Sequence, residues 1–516
     1  MNSNRRRGER DGAFSGHTAS RAIVDIGSNT VRLVIYGGTM RAPTVLLNEK
    51  VTAKLGRDIA KNGTLAEEAV TLAMRALERF VLLLEDLEVS DVETVATAAV
   101  REASNGPEFT AQLKAIGLSP RILSGEEEAV LSAHGVAGAF PGAEGIVADL
   151  GGGSLELVNL SRGEVSDPVT LPLGALRLPE YRTKDEDSRS MRQSLGKVLN
   201  KGAGKRAENA TLYLVGGTWR AMSVFAMQSG GHPLSDPHGL ELSAVQASDI
   251  AQALGAETPE ELKTRKRISS MRADKLPDAA NLLLAMIDVL NPSRIVFSSW
   301  GLREGLLFDR LAPETRAQDP LLAGISTYAS GRGAPPMLAT RIASWTLDAA
   351  PAREHGSERL RLAATMLALA SMQIEPNIRL PQAISWALEK RWIATSGTER
   401  AMMAAAIAAN GNQLDLNDRV RALASEEALD EAIKWGLAIR LARRLGALSR
   451  RSLNMSRLVV EEDALVLRLA TSHAALYCGP VEKDMKLLSA RLGLAARVDI
   501  VADDALRTDD RGANEA

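Results

Sequence analysis

Two short stretches constrain this chain more than any other. Residues 23–29 read IVDIGSN and residues 146–154 read IVADLGGGS, so one device occurs twice: an apolar strand, an aspartate (Asp25, Asp149) and, two residues on, a glycine turn. Glycine lacks a Cβ, so the backbone at Gly27, or at Gly151, Gly152 and Gly153, can aim its N–H groups at an anion. Ser28, Asn29, Thr30 and Ser154 add short side-chain donors. Either loop alone reads as a plain hairpin turn. Two of them, each opening a segment of strands and crossover helices, read as two halves of a phosphate clamp. An aspartate tolerates a phosphate beside it only with a cation between, so the pattern calls for phosphate with Mg2+.

At 516 residues the chain exceeds one core, since cores stop growing at about 250 to 300 residues. Residues 20–140 alternate strands with amphipathic helices, as in Leu65 to Val89, and the pattern restarts at Gly145, giving α/β halves over 20–140 and 141–311. Residues 312–455 turn to Ala, Leu, Arg and Met, which predicts a helical domain. Residues 456–502 return to alternation around a turn at EED and predict a small α/β module. Residues 1–19 and 503–516 read as disordered tails.

Composition narrows the function. With 62 basic and 64 acidic side chains there is no global field, so nucleic acid is not an expected partner and any anion site is local. The single cysteine, Cys478, excludes an internal disulfide and fits a reducing, cytoplasmic setting. The arginines near the N-terminus are followed by no apolar signal segment, and the apolar run Leu362 to Met372 is short of the ~20 residues that span a bilayer, so it predicts a core helix.

IVDIGSNTVRL, TAAVREASNGPEF (97–109), ILSGEEEAVLSAHGV (122–136), VADLGGGSLELV and VGGTWRA (215–221), in that order, resemble the motif series of the exopolyphosphatase and guanosine pentaphosphate phosphohydrolase (Ppx/GppA) family, part of the actin-like ATPase superfamily. The resemblance spans roughly residues 20 to 311. It implies two ribonuclease H-like domains around a cleft. It implies Glu128 as the catalytic carboxylate with Glu127 beside it at the substrate, Arg101 facing the phosphates, and Asp149 and Glu156 at the metal, where the aspartate-glycine turn already puts Asp25. Leu155 departs from the family, which often carries Thr there. Gly216 to Thr218 would close the second domain rather than hold a base. More faintly, the C-terminal part resembles a helical extension related to HD phosphohydrolases. None of the six histidines precedes an aspartate, so a second metal centre is not expected, and His355 reads as a helix-start residue.

The expectation is therefore an exopolyphosphatase: Mg2+-dependent hydrolysis of the terminal phosphate of inorganic polyphosphate. The pppGpp 5′-phosphohydrolase reaction is the alternative, a non-catalytic actin-like sensor is the alternative of another class, and a sugar kinase is disfavoured for want of a sugar-recognition segment. The family resemblance also suggests a homodimer. Arg440 to Arg451 is a candidate lining for a polyanion groove.

Overall fold

Nearly continuous buried apolar runs on either side of the first glycine turn pair as β1 (Arg21–Ile26) antiparallel with β2 (Val31–Gly37). The computed structural model describes residues 21–182 and 188–506, so the expected tail over 1–19 lies outside it. β3 (Thr44–Val51) extends the sheet beside β2, while β4 (Asp91–Ala96) and β5 (Pro120–Ile122) add parallel strands on the other side, in the order β3-β2-β1-β4-β5. Helix α1 (Glu67–Asp86) covers this sheet with Ala69, Ala73, Leu77, Phe80 and Leu84.

The second half repeats the plan. β6 (Glu144–Leu150), β7 (Leu155–Ser161) and β8 (Glu164–Leu171) form the antiparallel part; β9 (Thr211–Val215) and β11 (Arg294–Ser298) form the parallel part. A short β10 (Glu241–Ser243) adds an outer edge, giving β10-β11-β9-β6-β7-β8. The duplication read from two turns thus extends to whole sheets.

Chain order and packing differ at one point. Helix α2 (Gly125–Ala139) belongs to the first half of the sequence, yet its Ala129, Ala133 and Val136 pack among Val147, Val158 and Tyr213 of the second sheet. Among the later helices, those that border the cleft or its supports are α3 (Gly217–Ser229), α4 (Ser270–Ala273), α5 (Leu276–Leu290) and α6 (Leu302–Asp309). Conversely, Leu306 and Leu307 of α6 pack with Ile23, Val34 and Val95 of the first sheet. The two exchanged helices cross through glycine: a Cβ at Gly135 would stand 2.3 Å from the Gly301 carbonyl oxygen, and one at Gly305 1.7 Å from that of Leu131. Only backbone without side chains allows that approach.

Two compact units meet between Pro320 and Leu321. The boundary lies beyond residue 312 because Arg41, buried, donates from Nε to the carbonyls of Arg316 at 3.1 Å and Gln318 at 2.9 Å, and from Nη1 to that of Gly138 at 2.8 Å.

The second unit is helical to residue 454. α7 (Glu358–Ala370) is the buried helix expected around Leu362 to Met372, and α8 (Gly397–Asn410) packs with α9 (Glu426–Gly446). Arg440 and Arg444 do not line an open groove: their Nε atoms lie 2.9 and 2.7 Å from the carboxylate of buried Asp484 on α10 (Gly479–Leu492). His355 precedes the Ser357 cap of α7 and its N–H donates to Glu431. The expected module is a sheet of β12 (Ser456–Glu461), β13 (Ala464–Ala470) and β14 (Ala495–Val501). Residues 503–506, expected in the C-terminal tail, form a 3-10 turn (Asp503–Leu506) that buries apolar Leu506 against Met455 and Ala470, and residues 507–516 lie outside the described residues. No helix among the described residues is long and apolar enough to cross a membrane.

Candidate active site

The two glycine turns are closed by the same hydrogen bond. Gly27 N–H donates to the Thr30 carbonyl and Gly151 N–H to the Ser154 carbonyl, both at 3.0 Å. Neighbouring segments then occupy the loop carbonyls: Lys54 and Gly56 donate to Asn29 and Ser28, and Ala175 and Leu176 to Gly151 and Gly152. The N–H groups of Ser28, Asn29 and Gly152 donate to no protein acceptor among the described residues. The turns also face each other, since a Cβ at Gly152 would lie 3.0 Å from Ser28 Cβ. They border a cleft of about 190 Å³ that Asp25, Thr30, Glu128 and Asp149 also line.

The strand register explains where charge collects. Asp25 stands across from Arg32, and Asp149 across from Glu156, each seven residues on. Side chains at directly opposed positions share one face of the sheet, with Cβ atoms about 5 Å apart. In the first half, therefore, the aspartate meets an opposite charge, and Arg303 Nη1 on α6 adds a second at 3.0 Å from Asp25 Oδ2. Burial opposes the charge on Arg303, but Glu304 and Asp25 outweigh it and hold its pKa above the usual value. In the second half two carboxylates, half-buried Asp149 and buried Glu156, oppose each other.

No ion pair among the described residues reaches that second pair, although Arg303 and Arg220 act on Asp149, and Arg101 on Glu156, from a distance. Glu156 is 1% exposed and its Oε1 has no hydrogen-bond partner. Burial, then Glu128 and Asp149, push its pKa well above the ordinary value. Asp149 is raised too, by burial first, with a hydrogen bond from the buried Ser132 hydroxyl acting against the rise. Glu128, from the first turn of α2, is pushed up to about 8 by burial and then by Asp149, against the pull of Arg101. Arg101 Nη1 reaches Glu128 Oε2 at 3.4 Å while donating to the Leu123 carbonyl at 2.6 Å.

Several expected residues sit elsewhere or have their side chains engaged by other partners. Glu127 is exposed and belongs to the helix cap: Ser124 N–H donates to its carboxylate at 2.8 Å and its own N–H donates to Ser124 Oγ at 3.1 Å. Third position in a helix brings that carboxylate back to the cap, away from the cleft. Gly153 faces a separate hollow behind the turn, bordered by Ala98 and Leu176. Ser154 is buried and bonds to Glu156. Asn29 has its amide nitrogen 2.9 Å from Met271 Sδ, and Asn105 binds the backbone of Leu65. Gly216 and Gly217 line the cleft, and Thr218 Oγ1 accepts from Arg272 at 2.8 Å.

Sequence reasoning missed the basic side of the cleft. Arg32, Arg220, Arg272, Lys275 and Arg303 line it. Lys50, across the strand pair from Arg32, has its pKa lowered by burial and by Arg32 and Arg272. The signal available was the spacing: Arg32 stands seven residues after Asp25 where Glu156 follows Asp149.

A model of the Ppx/GppA phosphatase family matches residues 34–314, more than half of the chain. The chain belongs to the Ppx/GppA phosphatase family. The crystal structure of the Aquifex aeolicus Ppx/GppA family member is similar at TM-score 0.50 and 26% identity, covering 56% of this chain and 96% of that one. An exopolyphosphatase from Cytophaga hutchinsonii shares the fold at TM-score 0.51 and 24% identity, covering 57% of this chain and 99% of that one. Among curated proteins, Retrograde regulation protein 2 of Saccharomyces cerevisiae is 29% identical over 342 residues, 60% of this chain and 58% of the yeast protein. This Ppx/GppA chain therefore spans less than two thirds of that relative's length.

Proposed function

We propose that the protein is an exopolyphosphatase, hydrolysing the terminal phosphoanhydride of inorganic polyphosphate. One observation carries this reading: half-buried Glu128 and Asp149 line the cleft with two facing turns whose N–H groups are open, and buried Glu156 stands across the strand pair from Asp149. Phosphoryl transfer needs in-line positioning and charge neutralisation more than covalent chemistry. The open N–H groups of Ser28, Asn29 and Gly152 cradle terminal phosphate oxygens, and Arg32 and Arg303 neutralise them. Glu128 accepts a proton from water directed at the phosphorus, and Arg101 holds its carboxylate.

The residues present fit Mg2+ at one end of the cleft. No three His, Cys, Asp or Glu side chains among the described residues converge closely enough to hold an ion alone. Mg2+ uses one or two carboxylates together with water and phosphate oxygens. Glu156, with its unpartnered Oε1, and Asp149 opposite supply such a pair, whereas Asp25 is already neutralised. Bound there, Mg2+ would draw charge from the phosphate and restore Glu128 to its ionised form.

The test is orthophosphate release from long polyphosphate, with pppGpp assayed in parallel and with chelator as control. Release from polyphosphate that stops on chelation supports the reading; transfer to pppGpp alone selects the alternative substrate. The yeast relative is named for regulation, which favours a second reading, a ligand sensor without turnover. Binding of polyphosphate with no orthophosphate released would select it. Kinship of the helical part with HD phosphohydrolases, a homodimer and a cytoplasmic location are parts of the same proposal.

A further inference from the structure

Lys275 has no task in the reaction just described, yet it lines the cleft. It is the residue on which α5, a helix of 15 residues, begins. A helix N-terminus carries the positive end of the dipole, so a lysine there is the wrong charge for the fold. Its neighbours compound the mismatch. Arg272 of α4 and Lys54 of the segment after β3 both repel it, and the one acidic group that acts on it among the described residues, Asp274, is already paired with Lys263 at 3.0 Å. Arg272 itself donates to the Thr218 hydroxyl and to no carboxylate among the described residues. This cationic group is tied to the first glycine turn from two sides: Lys54 N–H donates to the Asn29 carbonyl at 3.0 Å, and the Asn29 amide meets Met271 Sδ.

Lys275 and Arg272 on the cleft wall, with exposed Lys54 acting on Lys275 and no free counter-charge among the described residues, call for an anion from outside. Building on the phosphoanhydride reading, we infer that Lys275 seats an internal phosphate of the substrate, beyond the bond that is cut, and thereby sets the preference for long over short phosphate chains. The terminal group is already provided for by the glycine turns, whereas Lys275, Arg272 and Lys54 belong to segments outside them.

The inference has a pH signature. Burial, then Arg272 and Lys54, lower the Lys275 pKa to about 8, with Asp274 acting against them. Its charge is therefore present below that value and lost above it. A bound phosphate favours the charged form and raises the pKa, so binding above pH 8 takes up a proton and weakens.

The experiment compares wild type, Lys275→Gln and Lys275→Arg on long polyphosphate, tripolyphosphate and pyrophosphate at pH 7 and pH 9. Folding of each variant is verified by thermal melting. The expected result for Lys275→Gln is a fall of about 10-fold in the ratio of kcat/KM for long chains to that for pyrophosphate, carried by KM. Lys275→Arg, which stays charged at both pH values, restores the ratio at pH 7 and abolishes the rise in wild-type KM at pH 9. Equal losses on all three substrates, or an unchanged Lys275→Gln in the presence of wild-type turnover, overturn the inference alone. Absence of wild-type turnover on every phosphoanhydride overturns the underlying reading with it.

Discussion

Arg303 Nη1 lies 3.0 Å from Asp25 Oδ2, joining a helix late in the first unit to the turn that opens it. The same helix presents Glu304, which accepts from Tyr36 Oη at 2.8 Å and from Gly301 N–H at 3.2 Å. Replacing Arg303 by Ala strands Asp25. Breaking a buried pair costs about 3 to 5 kcal/mol, and because these side chains retain 20% and 18% exposure the expected loss is on the order of 2 kcal/mol. Urea denaturation measures it, and Arg303→Lys should recover part.

The two aspartates should differ toward metal. Asp149→Asn and Glu156→Gln are each expected to weaken Mn2+ binding at least about 10-fold, while Asp25→Asn, whose carboxylate faces guanidinium groups, changes it little. Electron paramagnetic resonance of free Mn2+ reads the difference directly.

Ser132 should act through Asp149. It is fully buried one turn beyond Glu128 on α2, and its hydroxyl holds Asp149 Oδ2. Removing that bond in Ser132→Ala frees the carboxylate to rotate and should weaken Mn2+ binding about 10-fold, the usual scale for a group that orients a ligand. The melting temperature should move little, because only one oxygen atom is lost.

Gly174 supports the second turn from behind. A Cβ there would fall 2.2 Å from the Gly153 carbonyl carbon and 2.2 Å from Ser154 N, atoms of backbone that cannot swing aside. Gly174→Ala is expected to cost about 2 kcal/mol or more in denaturation experiments and to displace the turn, with phosphate release falling in parallel.

The elements around the turns were legible because each combined an apolar strand with a turn that only glycine and short polar residues make. Edge strands were not. β3 has no buried residue, and β8 carries Pro168, which the ladder tolerates only at an edge, so neither shows the continuous buried apolar run of β1 or β6. Glu128, Asp149 and Glu156 could be placed from motif order, and they do converge. Glu127 could not be separated from Glu128 by sequence, since helix geometry alone sends one carboxylate to the cap and its neighbour inward. Arg303 and Lys275 lie 278 and 250 residues from Asp25, and no local pattern brings them to it. The exchange of α2 and α6 between sheets was likewise invisible, because it depends on glycines meeting across the fold.

Hydrolysis by the half-buried Glu128 carboxylate is tested most directly by orthophosphate release from polyphosphate with wild type and Glu128→Gln, alongside a binding measurement on both. The variant should keep its polyphosphate affinity and lose at least about 100-fold in rate, the scale of a missing general base. A Glu128→Gln protein that releases orthophosphate within a few-fold of wild type would contradict it.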